Sequence, residues 1–212
     1  MCSNSRQAFM QAIQELMATR SFDSITVAEL SRIAGYSRKT FYQNFIDIYD
    51  LVQQILLDDL TTTAQECGFK DYHSFVHKIA PVLQDEDASG IYDGFLSNLE
   101  SVFYNKRLFY AKAFAIDGPN SLRSRFRDNS FKQCYEYIKY TAEKLGVRLT
   151  AREMNEIAEY HAAAITDMIG VFIQRLVTDP NADRKIFRGK SARRSYKFVY
   201  AYIWYLSNHR DT

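Results

Sequence analysis

The sequence predicts an all-α protein in which a small three-helix N-terminal unit precedes a larger helical one. Three observations carry that prediction. Only 8 Gly and 3 Pro punctuate 212 residues, too few for a sheet protein that must turn often. Apolar residues recur at helical rather than alternating spacing. Ser, Thr and Asp repeatedly stand just ahead of those stretches, where their side-chain oxygens can cap a helix N-terminus. With 47% hydrophobic and 25% charged residues the composition is globular, which excludes the collagen-like and disordered classes.

From Arg6 to Arg20, the residues Phe9, Ile13, Leu16 and Met17 fall on one helical face. After the polar turn Ser21-Phe22-Asp23-Ser24, the stretch Thr26-Val27-Ala28-Glu29 matches a capping box. In such a box the Thr26 hydroxyl accepts an amide and Glu29 reaches back to the cap amide. This second helix carries Val27, Leu30, Ile33 and Ala34 and ends at Gly35, a residue that enters a left-handed turn without steric cost. Ser37 caps a third helix, Arg38 to about Asn44, and Asp47 a fourth that runs to about Glu66. Beyond Gly68 the pattern predicts helices over about 71–80, 88–103, 106–116, 120–145, 150–178 and 193–208. The breaks fall at Pro81, Asp117-Gly118-Pro119, Gly146 and Asp179-Pro180-Asn181. Arg184, Lys185, Arg188, Lys190, Arg193, Arg194 and Lys197 follow one another without an acidic residue, which predicts a solvated loop leading into the last helix. The domain division expected is 1–50 and 51–212.

Several function classes drop out. A net charge of +2 does not coat nucleic acid by charge alone, so any basic surface is local. Cys2, Cys67 and Cys134 are odd in number and form no CxxC pair, which suits a reducing compartment and not a disulfide scaffold. The N-terminus lacks the apolar core of a signal peptide. Apolar stretches such as Ile169 to Ile173 fall short of the roughly 20 residues that span a bilayer. A cytoplasmic protein without a membrane partner is expected. No glycine-rich phosphate loop, GxSxG or HExxH motif is present, so catalysis is not expected. His73 and His77, spaced i,i+4, have no Cys or carboxylate companion and read as an ordinary pair. No metal and no cofactor are expected.

The third helix carries the functional signal. At ~100° per residue, Arg38, Lys39, Tyr42 and Gln43 share one arc, while Phe41 points the other way and Phe45 closes the core beyond the helix. Two short helices joined at Gly35, the second exposing basic and amide side chains, describe a helix-turn-helix whose second helix enters a major groove. Arg38 and Lys39 can donate to guanine or phosphate, and Gln43 can read adenine. Thr26, Ser37, Thr40 and Tyr42 can hold phosphate oxygens, aided by the amides of the two helix N-termini.

Residues 6–56, above all Ile25 to Phe45, closely resemble the DNA-binding domain of the TetR/AcrR family of transcriptional regulators. Thr26, Ile33-Ala34, Gly35, Ser37, Thr40, Tyr42 and Phe45 at these spacings carry the resemblance, over about a quarter of the chain. It implies an all-helical homodimer on double-stranded DNA, with a C-terminal domain that often binds a small effector and so alters DNA affinity. It supports DNA-contacting roles for Thr26, Arg38, Lys39, Tyr42 and Gln43. Two positions depart from the family's pattern: Asn44 stands where many members have His, and Ile48 where a phosphate-touching Lys is common. Within residues 1–50, Arg6, Arg20, Arg32, Arg38 and Lys39 balance Glu15, Asp23, Glu29, Asp47 and Asp50. Few phosphate contacts and a shallow salt dependence are therefore expected.

In the second half, the helix over Glu153 to Val177 carries a wide apolar band, and Tyr196 to Leu206 is apolar almost all round. A helix apolar on every side must be buried on every side. The resemblance implies a four-helix dimer interface built from these two helices, with Ile165, Met168, Phe172, Tyr196, Val199, Tyr200 and Ile203 as its expected residues. The stretch 95–140 is rich in aromatics, which can line an apolar pocket with hydroxyl handles. The effector candidates are Phe103, Tyr104, Tyr110, Phe114 and Tyr135, with His161 from the apolar band, where a hydrogen-bonded core histidine is the default. Phe95-Leu96-Ser97-Asn98-Leu99 and Asn105 to Asn120 are similar to a subgroup related to dihydroxyacetone-kinase regulators, whose partner can be a kinase-like protein. A regulator, foremost a repressor, on a palindromic operator is the leading reading. The alternative is a co-activator or adaptor whose C-terminal domain binds a protein and whose own DNA affinity is weak.

Overall fold

Helices fall where caps and periodicity place them. A computed structural model describes residues 4–84, 89–179 and 190–209. Among them the chain forms α1 (Asn4–Thr19), α2 (Val27–Ala34), α3 (Arg38–Asn44), α4 (Ile48–Glu66) and α5 (Tyr72–Gln84), then α6 (Ser89–Asn105), α7 (Arg107–Phe114), α8 (Leu122–Leu145), α9 (Ala151–Thr178) and α10 (Lys190–His209). No strand occurs among the described residues, and the all-α expectation is borne out. Oxygens of Thr26, Ser37 and Asp47 accept the amides of Glu29, Thr40 and Asp50, three residues on in each case. Gly35 and Gly146 end α2 and α8 with φ of 73° and 68°, a left-handed conformation that a Cβ would disfavour.

One expected cap differs. The Thr26 hydroxyl takes the Glu29 amide at 3.2 Å, but the Glu29 carboxylate binds the Arg20 guanidinium. The complete capping box lies instead at Thr150 and Glu153, at the head of α9. A salt bridge to a cation held nearby outcompetes a neutral amide for the same carboxylate.

Phe9, Ile13 and Met17 of α1 are fully buried, together with Leu30 and Phe41. The Phe9 and Phe41 rings meet edge to face at 5.2 Å, and Phe45 closes the cluster from the end of α3. Burying each such side chain stabilises by about 1.5–3 kcal/mol, enough together to hold three short helices that would not form alone. The division at residue 50 cuts the first turn of α4. That helix buries Leu51, Val52, Ile55, Leu56 and Leu60 in succession, so it belongs to both units and joins them without a linker.

In the body, α8 and α9 lie along one another, α10 packs on α8, and α7 is set between α1 and α9. Two expected boundaries move. α5 runs through Pro81 to Gln84: the proline forgoes its amide bond and crowds the carbonyl four residues back, and the helix ends within one turn of it. The basic run is not wholly a loop, because α10 already begins at Lys190. Its part from 184 to 189 lies outside the described residues.

Candidate nucleic-acid interface

α3 is held from behind and presents its polar side outward. Phe41 anchors it in the core, while Arg38, Lys39, Tyr42 and Gln43 are exposed, Tyr42 at 60%. At its head the Ser37 hydroxyl accepts the Thr40 amide at 3.1 Å and shares a 2.9 Å hydrogen bond with the Thr40 hydroxyl. The exposed Thr26 and Ser37 carry the caps of α2 and α3. Of the seven candidates, Thr26, Ser37, Arg38, Lys39, Tyr42 and Gln43 are exposed and Thr40 is half-buried.

Electrostatics reduce that surface to a small set. Arg6 is bound to Asp58 at 2.6 Å and to Gln54, and Arg20 to Glu29. Among the described residues of 4–50, the exposed cations outside any ion pair are Arg32, Arg38 and Lys39. Asn44 faces inward: its amide donates to the Thr40 carbonyl at 2.7 Å and to the Ser5 hydroxyl at 3.4 Å. It ties α3 to the start of α1 and is not part of the outward face. At the head of α4, Asp47 accepts the Asp50 amide and Asp50 the Ile46 amide, at 2.7 and 2.9 Å. These two carboxylates, with half-buried Ile48, replace the cationic start that the family's pattern would supply. Ile46, missed from the sequence, is 81% exposed beside the end of α3. An apolar side chain there can contact a sugar or a thymine methyl. Its one sequence signal is an isoleucine just before an Asp cap, outside the helical period.

Among the effector candidates, Phe103, Tyr110 and Phe114 form solid core, with Phe103 and Tyr110 edge to face at 4.9 Å. The Tyr110 hydroxyl is committed to Asp59, and burial together with that carboxylate raises its pKa well above the usual tyrosine range. Tyr104 lies under the Arg107 guanidinium at 4.9 Å, and Tyr135 is half-buried beside Phe131. His161 lines a separate groove with Tyr160 and Tyr202. The apolar cavity lies elsewhere. It measures about 70 Å³ and is walled by Tyr72, Phe75, Tyr92, Phe95, Phe126 and Tyr196, with Ser130 and Gln133 as polar members and no charged lining residue. Gln133 donates to the Tyr72 hydroxyl. Burial raises the pKa values of Tyr72 and Tyr92, and it pushes the Cys134 thiol up to about 12. All stay neutral at physiological pH. Composition pointed to 95–140 because aromatics cluster there; their packing sends most of them into the core.

The expected dimer residues divide. Phe172, Tyr196, Val199 and Ile203 are buried against their own subunit and have no surface left for a partner. Ile165 and Tyr200 are half-buried, and Met168 is 45% exposed. The outward apolar stripe consists of Tyr160, Met168 and Val171 on α9 and of Phe198, Tyr202 and Tyr205 on α10, each 45% exposed or more. The sequence gives α9 a wide apolar band and makes Tyr196 to Leu206 of α10 apolar almost all round, yet only the fold tells the inner stripe from the outer one. No group of three His, Cys, Asp or Glu positioned for a metal occurs among the described residues. None of their helices is long and apolar enough to cross a membrane.

Comparison with known proteins gives one family and one fold. Residues 9–55 match the family described as bacterial regulatory proteins, tetR family. The fold is similar to a solved structure described as the dihydroxyacetone kinase operon activator DhaS, at 17% identity over 96% of each chain and a TM-score of 0.50. No curated protein matches the chain by sequence. Residues 9–55 therefore form a helix-turn-helix domain of the kind described for the tetR family of bacterial regulatory proteins, which makes the chain a DNA-binding transcriptional regulator.

Proposed function

We propose that the protein is a cytoplasmic homodimeric repressor that reads a palindromic operator through Thr26, Ser37, Arg38, Lys39, Thr40, Tyr42 and Gln43. The observation that carries this reading is the outward face of α3, where two cations and an amide stand free on a helix anchored by Phe41. The exposed apolar residues of α9 and α10 are the dimer surface in this reading, because an apolar face left on each of two helices is stabilised by a second copy. A two-fold dimer sets two copies of α3 on half-sites one or more helical turns apart. The cavity walled by Tyr72, Phe95 and Tyr196 is the effector site. At about 70 Å³ it admits only a small uncharged molecule unless it opens, since sites for drug-sized ligands occupy about 300–1,000 Å³.

A second reading is favoured by Asp47, Asp50 and Ile48, which deprive the DNA side of cations. It is an activator or adaptor that works through a protein partner, as the name of the DhaS structure says of that protein's role as an activator. Selection of duplex fragments by the purified protein, with salt raised stepwise in the washes, tests the two. Recovery of a short inverted repeat supports the sequence-specific dimer. Sequence-blind binding lost at modest salt refutes it and favours the adaptor.

A further inference from the structure

α1 ends without a basic residue in its last turn, and the final carbonyls of a helix have no partner within it. A cation from another helix fills that role. Lys112, in the last turn of α7, sends its Nζ to the carbonyl of Arg20 at 3.1 Å and to that of Ala18 at 3.3 Å. The Arg20 side chain continues the connection, donating to the Ser24 carbonyl at 2.9 Å and to the Glu29 carboxylate in the first turn of α2. This is the carboxylate that leaves the capping box of α2 incomplete. Where a local rule is broken in this way, the compensating contact marks a functional constraint.

α7 is itself rooted in the body. Lys106, just before it, binds both oxygens of Asp59 on α4 at 2.7 and 2.9 Å. The Gln174 amide of α9 donates to the Ala111 carbonyl at 3.0 Å. At its other end α1 is held to α4 by Arg6 on Asp58. Two polar clamps therefore hold α1 on the body, and the Lys112 clamp is the one that also reaches α2.

We propose that Lys112 is a positioning residue for DNA binding: by holding the end of α1 and, through Arg20, the first turn of α2, it sets the angle at which α3 is presented. Lys112 does not touch DNA in this role. Removing it leaves Arg6 as the polar clamp between α1 and the body among the described residues, and the apolar packing of α1 on α4 and α7 is then left to set the angle without a directional bond at the end of α1.

The test compares Lys112→Met, which keeps the stem and removes the donors, with Lys112→Arg, which restores them. Amide hydrogen exchange is followed over residues 16–30, with thermal unfolding, and operator affinity is titrated against salt on the fragment recovered by selection. The proposal expects faster exchange in Lys112→Met at the end of α1 and in the first turn of α2, an unchanged melting temperature, and recovery in Lys112→Arg. If the competent orientation falls to about one tenth of the population, apparent affinity weakens about tenfold, with the salt slope unchanged. Unchanged exchange overturns the proposal whether or not an operator is found, which separates its failure from failure of the repressor reading. Loss of affinity with a shallower salt slope also overturns it, because Lys112 then touches phosphate. Loss that follows a lowered melting temperature and is not recovered by Arg reduces the contact to general stability and overturns it too.

Discussion

The salt dependence of DNA binding can be worked from the charges of the N-terminal unit. Arg6 and Arg20 are spent in ion pairs, leaving Arg32, Arg38 and Lys39 exposed and outside ion pairs among the described residues of 4–50 in each protomer. A dimer that places all of these on phosphate neutralises six, which bounds the slope of log K against log salt at about −5. Between 50 and 200 mM salt the affinity should therefore fall by no more than about 10³-fold. Ile48→Lys adds one cation per protomer at the head of α4, beside Asp47 and Asp50. It should steepen the slope to about −7 and raise low-salt affinity, with base preference unchanged. Fluorescence anisotropy of a labelled operator, titrated at several salt concentrations, measures both slopes. A wild-type slope clearly steeper than −5 would overturn this account, since it requires cations outside this set. An Ile48→Lys slope equal to that of the wild type would show that the head of α4 does not approach the backbone.

Arg38→Ala should cost about 1–3 kcal/mol of operator affinity and relax preference at a single base position, seen by repeating the selection. Phe41→Ala, which empties a fully buried site between Phe9 and Phe45, should destabilise the helix-turn-helix by about 3–5 kcal/mol. Denaturant unfolding followed by hydrogen exchange should then show α1 to α3 opening before the body. Val171→Asp, at an exposed position of the outer stripe, should yield monomers in sedimentation velocity without a lower melting temperature; dimers that persist would move the interface elsewhere. Burial holds the pKa of His161 below its ordinary 6.5. The unfolded chain therefore binds its proton first as pH falls, and stability should decline below about pH 6.5. His161→Gln should flatten that decline in thermal melts taken between pH 7.5 and 5, and a decline equal to the wild type's would assign it to other groups.

The N-terminal unit was legible because its signals are local. A cap and the amide it binds lie three residues apart, and Gly35 announces a left-handed turn whatever packs around it. The alternation of Phe41 inward with Arg38, Tyr42 and Gln43 outward follows from helical period alone. Glu29 shows where local reasoning stops. Its spacing from Thr26 matches a capping box, but its carboxylate is claimed by Arg20, whose placement depends on the turn between α1 and α2.

The body was less legible for a different reason. Phe103, Tyr110 and Phe95 are alike in composition and period, yet two fill the core and one walls a cavity. Volume left empty is a property of how helices meet, which no single helix encodes. The same holds on α9 and α10, where Phe172 and Val171, or Val199 and Phe198, are adjacent apolar residues with opposite fates. By itself the sequence determined the helices, their caps and the outward face of α3, because period and capping act within a few residues. Tertiary structure alone decided which apolar stripe is left for a partner, where the cavity lies, and that Lys112 reaches α1 across 94 residues of chain. Those outcomes depend on side chains distant in sequence competing for the same space and the same hydrogen-bonding groups.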